Sequence, residues 1–230
     1  MKILKIEAYQ LFANYRKPMN YNFWDTYPLP PLSTVKGWFH SVVNAHEYIP
    51  LSMSIQGNSS SIIYDMQTLI KFDRVRKEKK QLMLDWLNKS LSHSPTFVAN
   101  VFNINLTIYL YSEQIEALEK FKNNIFTNAF PSIGRHEDLA RIDFIDFIEP
   151  SEVEFSASNH HTLHYGVYLN KETATACNIK GIYYRMNNKY EILSNLRYFE
   201  KADVVYADNG DIIQGKFLFD EHNGRIIDLI

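Results

Sequence analysis

The chain has 230 residues, a formal net charge of -2 and a hydrophobic content of 46%, with 15 Tyr and 15 Phe. That apolar load offsets chain entropy and excludes a disordered protein, while the near-neutral balance excludes a binder that works through a broad positive field. Any polyanion site must therefore be local. Cys177 is the single cysteine, so no internal disulfide forms and a reducing cytoplasm is expected. Lys5 and Glu7 interrupt any signal-like apolar run near the N-terminus. No stretch nears the roughly 20 apolar residues of a membrane-spanning helix, so no membrane association is expected.

In chain order, Lys2 to Phe12 alternates as a strand, with Leu4, Ile6 and Ala8 on one face and Lys5, Glu7 and Tyr9 on the other. After Tyr27-Pro28-Leu29-Pro30-Pro31, Ser33 is the expected N-cap of a helix running to about Ala45, with Val35, Phe39, Val42 and Val43 at helical spacing. Weaker strand signals at Met53 to Gly57 and Ile62 to Leu69 precede a basic segment and a short helical stretch, Leu82 to Leu91. Phe102, Ile104, Leu106, Ile108 and Leu110 then alternate strictly with polar residues and tyrosines, which predicts a half-buried strand. Ser112 is the expected cap of a second helix with Ile115, Leu118, Phe121 and Ile125 inside and Glu116 paired to Lys120 outside. A strand near Ile142 to Ile148 follows the turn at Gly134.

This order predicts an α+β fold, a ferredoxin-like βαββαβ domain over residues 1–150 of the kind also used by RNA-recognition modules. An insertion over about 70–100 interrupts it. Residues 151–230 read as a β-rich antiparallel part with turns at Asn187-Asn188, Asn209-Gly210 and Asn223-Gly224.

Charge is polarised along the chain. Lys71, Arg74, Arg76, Lys77, Lys79 and Lys80 outweigh Asp73 and Glu78, whereas the stretch from Glu137 to Glu154 is acidic. The basic residues alternate with Phe72 and Val75, so an extended or hairpin form presents charge to nucleic acid and an apolar edge to a neighbouring subunit. A solvated loop is the simpler alternative.

Three motifs carry candidate chemistry. In Ser33-Thr34-Val35-Lys36-Gly37, prolines hold the chain extended before a helix start whose free N–H groups suit an anion; Lys36 adds charge and Gly37 admits a close backbone. A proline turn into a capped, packed helix explains the same residues. Gly134-Arg135-His136 follows a helix, where Arg135 suits a phosphate or base edge and His136 a stacked base, or where a glycine simply ends the helix. Asn14-Tyr15-Arg16-Lys17 forms a basic strand end that offers stacking through Tyr15, or an ordinary surface loop. His160, His161 and His164 share one polar loop, and without matched Cys or carboxylate spacing they read as surface histidines, so neither metal nor cofactor is expected. No phosphate-cradling loop, dinucleotide fingerprint or nucleophile elbow occurs in context.

Tyr9-Gln10, Ala13 to Pro18, Thr26 to Pro31, Ser33 to Gly37 and His40 together resemble the CRISPR-associated Cas-five family. Ser54-Ile55-Gln56-Gly57 and Ile133 to Leu139 look like its type I-B branch, so the resemblance covers roughly the first two-thirds of the chain. It implies a RAMP-superfamily fold with an inserted thumb, and a subunit of the Cascade complex. In that role the chain holds the five-prime handle of the CRISPR RNA, contacts the backbone subunit through the thumb, docks the large subunit and lies near target DNA at the PAM. A type I-C branch of the family cleaves precursor RNA without metal using a tyrosine, a lysine and a histidine. Its adjacent Lys-His pair is missing here, and the type I-B resemblance implies that a separate ribonuclease performs the cut, so no catalysis is expected. A metal-independent endoribonuclease with Tyr27, Lys36 and His40 as substitutes is the second reading, and a protein-interaction scaffold without RNA contact is the third.

Overall fold

The computed structural model describes residues 1–230 apart from 21, 74–81, 85–88, 128–129 and 195; the side chains of 71, 73, 82–84, 89 and 90 are also outside the described set. Alternation over the first residues produces β1 (Ile3–Ala13), followed by the short β2 (Phe23–Trp24), α1 (Leu32–Val42) and β3 (Ser52–Asn58). Next come β4 (Ser61–Asp73), β5 (Leu82–Leu84), the long β6 (Lys89–Tyr111), α2 (Ile115–Asn124) and β7 (Arg141–Ile148). Four of these strands lie in the order β3-β6-β1-β7, antiparallel throughout, with Ile6 opposite Ile108 and Ile145. Together with α1 and α2 as crossovers, this is the ferredoxin-like α+β arrangement.

The face that carries Leu4, Ile6 and Ala8 meets the helices. Phe39 of α1 stacks on Phe121 of α2 at 5.2 Å, and Trp38 meets the same ring edge-on at 5.0 Å. Such aromatic pairs add about 0.5–1.5 kcal/mol beyond their area burial. A Cβ on Gly57 would fall 2.6 Å from the Asn105 carbonyl oxygen, so the approach of β3 to β6 requires glycine there.

The rest of the chain is β8 (Ser151–Phe155), β9 (His161–Thr162), β10 (Gly166–Asn170), α3 (Lys171–Ala176), β11 (Ile182–Leu193) and β12 (Leu196–Ala207), then β13 (Ile212–Ile213), β14 (Gly215–Asp220) and β15 (Arg225–Ile227). It does not stand apart from the ferredoxin core. β10 pairs with β3, and β12 and β11 follow, so the sheet continues as β11-β12-β10-β3. The three-stranded sheet β15-β14-β8 covers the opposite face of β1 and β6.

Covering that face buries Lys5. Its Nζ lies 2.8 Å from Asp220 Oδ2, which also accepts the Tyr109 hydroxyl at 2.9 Å, and Glu7 approaches the same ammonium at 3.2 Å. The chain end is pinned as well, since Ile230 and Met53 exchange two backbone hydrogen bonds.

Four local expectations are corrected. α1 has Pro31, not Ser33, at its N-cap, with no side-chain cap bond, and it ends at Val42 because Asn44 turns left-handed at φ 50°. α2 begins after Gln114, and the Ser112 hydroxyl accepts the Gln114 N–H ahead of the helix instead of capping it. Within the expected helical stretch, Leu82–Leu84 and Lys89 to Leu91 are strand, not helix, because pairing between β5 and β6 outweighs local propensity, while 85–88 lie outside the described residues. Asn187-Asn188 is an irregularity inside β11, and the chain reverses only near Ser194.

β4 pairs with β6 from Ser61 opposite Phe102 to Asp73 opposite Ser90, forming a long arm that departs from the sheet well before residue 70. Lys71 belongs to β4 by its backbone, while Arg74, Arg76, Lys77 and Lys79 lie outside the described residues. No described helix is long and apolar enough to cross a membrane.

Lys5→Ala leaves a buried carboxylate without its main partner and is expected to cost about 3–5 kcal/mol in urea unfolding. Burial pushes the Asp220 carboxyl up, but hydrogen bonds from Lys5 and Tyr109 and the Lys5 charge bring it net below the usual carboxylate range. Its contribution is therefore present at neutral pH, above the unfolded value of about 3.9, and is lost as pH falls through the lower folded value. Acid titrations of wild type and Lys5→Ala should converge at the low end.

Candidate nucleic-acid interface

The Gly134 turn is latched to the end of β1 by one carboxylate. Asp138, 1% exposed, accepts the backbone N–H of Asn14 at 3.1 Å and that of Arg135 at 2.9 Å. It also takes the Arg135 guanidinium in a fork at 2.8 and 3.1 Å. Gln10 completes the latch by donating to the carbonyls of Ile133 and Asp138.

Arg135 is engaged on every side, donating further to Gln67 and Asn100 and pairing with Glu137 at 3.0 Å. Its fork faces protein, so it holds the turn rather than presenting a free guanidinium to phosphate. His136 is the reverse case, 98% exposed on its side chain and placed 2.9 Å from Glu137. Gly134 sits at φ 116° with its α-carbon against Asp138, a conformation that a side chain would strain.

At the strand end, Asn14 and Tyr15 turn inward. Asn14 donates to the Ala99 and Trp24 carbonyls, and the Tyr15 hydroxyl donates to Gln10 at 2.6 Å. Burial and the Asp138 charge push the Tyr15 phenol far up, and its ring is closed to a stacking base. The outward residues are Arg16, stacked on Trp24 at 4.2 Å, and Lys17, paired with Asp25 at 2.7 Å.

Ser33, Thr34 and Gly37 lie on the ridge of α1 between two cavities. One, about 350 Å³, opens toward Phe130, Pro131, Ser132 and Gly134. The other is a cleft of about 800 Å³ between α1, the loop after it and the β11–β12 hairpin. Among the described residues, nothing beyond the neighbouring backbone of α1 itself lies within 4 Å of a Cβ built on Gly37, so the glycine leaves the ridge open.

Lys36 is 7% exposed and donates to the Asn188 side chain at 2.5 Å, tying α1 to β11. Burial draws its ammonium below the ordinary lysine range. His40 accepts the Ile49 N–H on Nε2 at 2.9 Å, and its Nδ1 then donates to the Lys36 carbonyl at 2.7 Å. With both nitrogens engaged, the imidazole organises the loop that leaves α1. The Tyr27 hydroxyl belongs to a buried ring whose phenol is pushed up by burial, then by Tyr184 and Asp25. Among the described residues no cluster of His, Cys, Asp or Glu is arranged to hold a metal, and His161 lies between Phe155 and Phe219.

The sequence reading missed the far wall of the larger cleft, made of Lys189, Tyr190, Arg197 and Phe199. The available signal was the interleaving of basic and aromatic residues over 189–199, which suits single-stranded nucleic acid.

No family model matches the chain, and no curated protein matches it. Among solved structures, a chain of a CRISPR RNA-guided surveillance complex matches with a TM-score of 0.62 at 9% identity, covering 91% of each chain. A CRISPR protein from Archaeoglobus fulgidus matches over 100% of both chains at 10% identity and a TM-score of 0.49. A chain of the type III-B Cmr-beta complex bound to cognate target RNA and AMPPnP matches at 10% identity and 0.44, covering 93% of this chain and 86% of that one. At such identity the first likeness establishes a shared fold alone, here the ferredoxin-like α+β arrangement.

Asp138→Ala, which strands the Arg135 fork, is expected to lower stability by about 3–5 kcal/mol in chemical denaturation. Arg135→Lys, which cannot reproduce the fork, should cost about 1–3 kcal/mol. His136→Ala should stay within about 0.5 kcal/mol of wild type.

Proposed function

We propose that this chain is a guide-RNA-binding subunit of a CRISPR effector complex, of the Cascade kind that type I-B systems use. The observation that carries the reading is convergence. Residues drawn from separate parts of the sequence, Ser33, Thr34, Lys36, Gly37 and His40 on α1 and Gly134 on its turn, line two adjoining cavities around a single helix start. The fold shared with a surveillance-complex chain along nearly its whole length supports the same reading, as does the Cas-five resemblance of the motifs.

In this role the five-prime handle of CRISPR RNA lies across the α1 ridge. The Ser33 and Thr34 hydroxyls and the Ser33 N–H meet its backbone, since the Thr34 and Val35 N–H groups already donate to the Pro31 carbonyl, and Gly37 lets it come close. Arg16, Lys17 and His136 offer outward polar contacts, while Asn14, Tyr15, Arg135 and Lys36 hold the surface in shape. The β4–β6 arm, with Tyr64, Met66, Ile70 and Phe72 exposed along it, contacts the backbone subunit. The large subunit and target DNA near the PAM complete the assembly, which serves antiviral defence.

The chain acts without cutting RNA. His40 has both nitrogens occupied and Tyr27 is held protonated by burial, so neither is placed as a base. Incubated with repeat-containing precursor RNA, with and without EDTA, the protein should bind the transcript and leave it intact. A discrete cut abolished by His40→Ala would replace the reading with an endoribonuclease, and failure to bind any RNA would leave a protein scaffold.

A further inference from the structure

The larger cleft has a second wall to which no role has yet been given. β11 and β12 extend past the sheet as a hairpin in which Tyr190 is opposite Phe199 and Ile192 is opposite Arg197. Tyr190 and Phe199 lie 5.6 Å apart, both partly exposed, and the Arg197 guanidinium sits 4.7 Å over the Tyr190 ring. Across the cleft, Tyr48 stacks on His40 at 5.5 Å and receives the Lys189 ammonium at 5.9 Å.

An open cleft with aromatic surfaces on both walls matches the demands of an unpaired base. It accepts flat π-faces without reading sequence. Its charges point the same way. Lys36, Lys189 and Arg197 line it against the single carboxylate Glu47, and among the described residues Arg197 makes no ion pair, whereas Lys189 is paired with Glu200 at 3.0 Å. Arg197 is thus a cation stacked on an aromatic ring with its outer edge free for a phosphate. The cleft is also preorganised, because the bond from Lys36 to Asn188 fixes the hairpin against α1.

We infer that the cleft between α1 and the β11–β12 hairpin is a stacking site for single-stranded RNA, in which Tyr190, Phe199 and Tyr48 take bases and Arg197 takes the adjoining phosphate. The inference rests on the proposed RNA-binding role and extends it to a surface outside the motifs that suggested that role. RNA leaving the α1 ridge enters the cleft directly, since Ser33, Thr34 and Gly37 border both.

The test is a fluorescence-anisotropy titration of the full chain with a fluorescein-labelled single-stranded transcript of the associated repeat, beside a DNA strand of the same sequence. Tyr190→Ala and Phe199→Ala should each weaken RNA binding by about tenfold, and Arg197→Ala should lower the slope of affinity against salt by about one. These residues are exposed, and circular dichroism on each variant verifies the fold. Photocrosslinking of the wild type should attach RNA to peptides containing Tyr48 or Tyr190. If wild type binds RNA while all three variants bind equally well and crosslinks fall elsewhere, the cleft assignment is overturned and the RNA-binding role stands. If wild type binds no RNA, both fall. DNA held as tightly as RNA, with equal loss in the variants, would overturn the assignment to RNA.

Discussion

Strand β1 is covered on both faces, and the rest of the molecule follows from how that burial is made tolerable. One face carries Leu4, Ile6 and Ala8 and meets the two helices. The other carries Lys5, whose charge is held by Asp220 on a sheet contributed by the far end of the chain. A buried cation of this kind costs several kcal/mol unless its partner is in place. The C-terminal strands therefore belong to the ferredoxin core energetically as well as topologically, and β10 extends the same sheet.

The far end of β1 solves a related problem with Gln10 and Asp138. Here the backbone leaves the sheet and must have its polar groups satisfied away from water. Gln10, Tyr15 and Asp138 form a closed network, and the Gly134 turn is its outer surface. Rigidity at this latch and at the Lys36–Asn188 tie gives α1 a fixed position between two cavities. A chain with a net charge of -2 can then engage a polyanion only through such local, preorganised surfaces.

Much of the core was legible in the sequence because its periodicities are clean. Strict alternation over Phe102 to Leu110 and helical spacing over Val35 to Val42 fix β6 and α1, and with them the ferredoxin order. Local caps were less legible, since Ser33 and Ser112 have the right chemistry but proline geometry and a hydrogen bond to the Pro50 carbonyl decide their roles. Arg135 and Tyr15 looked like free recognition groups because sequence shows residue type and not the latch that engages them, in which Asp138 takes the Arg135 guanidinium and Gln10 accepts the Tyr15 hydroxyl. The β11–β12 wall was less legible, because basic and aromatic residues do interleave over 189–199 but only the folding of the hairpin beside α1 gathers them into one surface.

The claim at the centre of this account is that the molecule works as part of a guide-RNA ribonucleoprotein. The most direct measurement is affinity purification of the chain, tagged at its own locus, from the native host, followed by sequencing of the bound RNA and mass spectrometry of the bound proteins. The account predicts short RNAs that share one repeat-derived five-prime end, recovered with a backbone subunit and a large subunit. Purification of the chain free of RNA, or with RNAs that lack a common repeat-derived end, would contradict it.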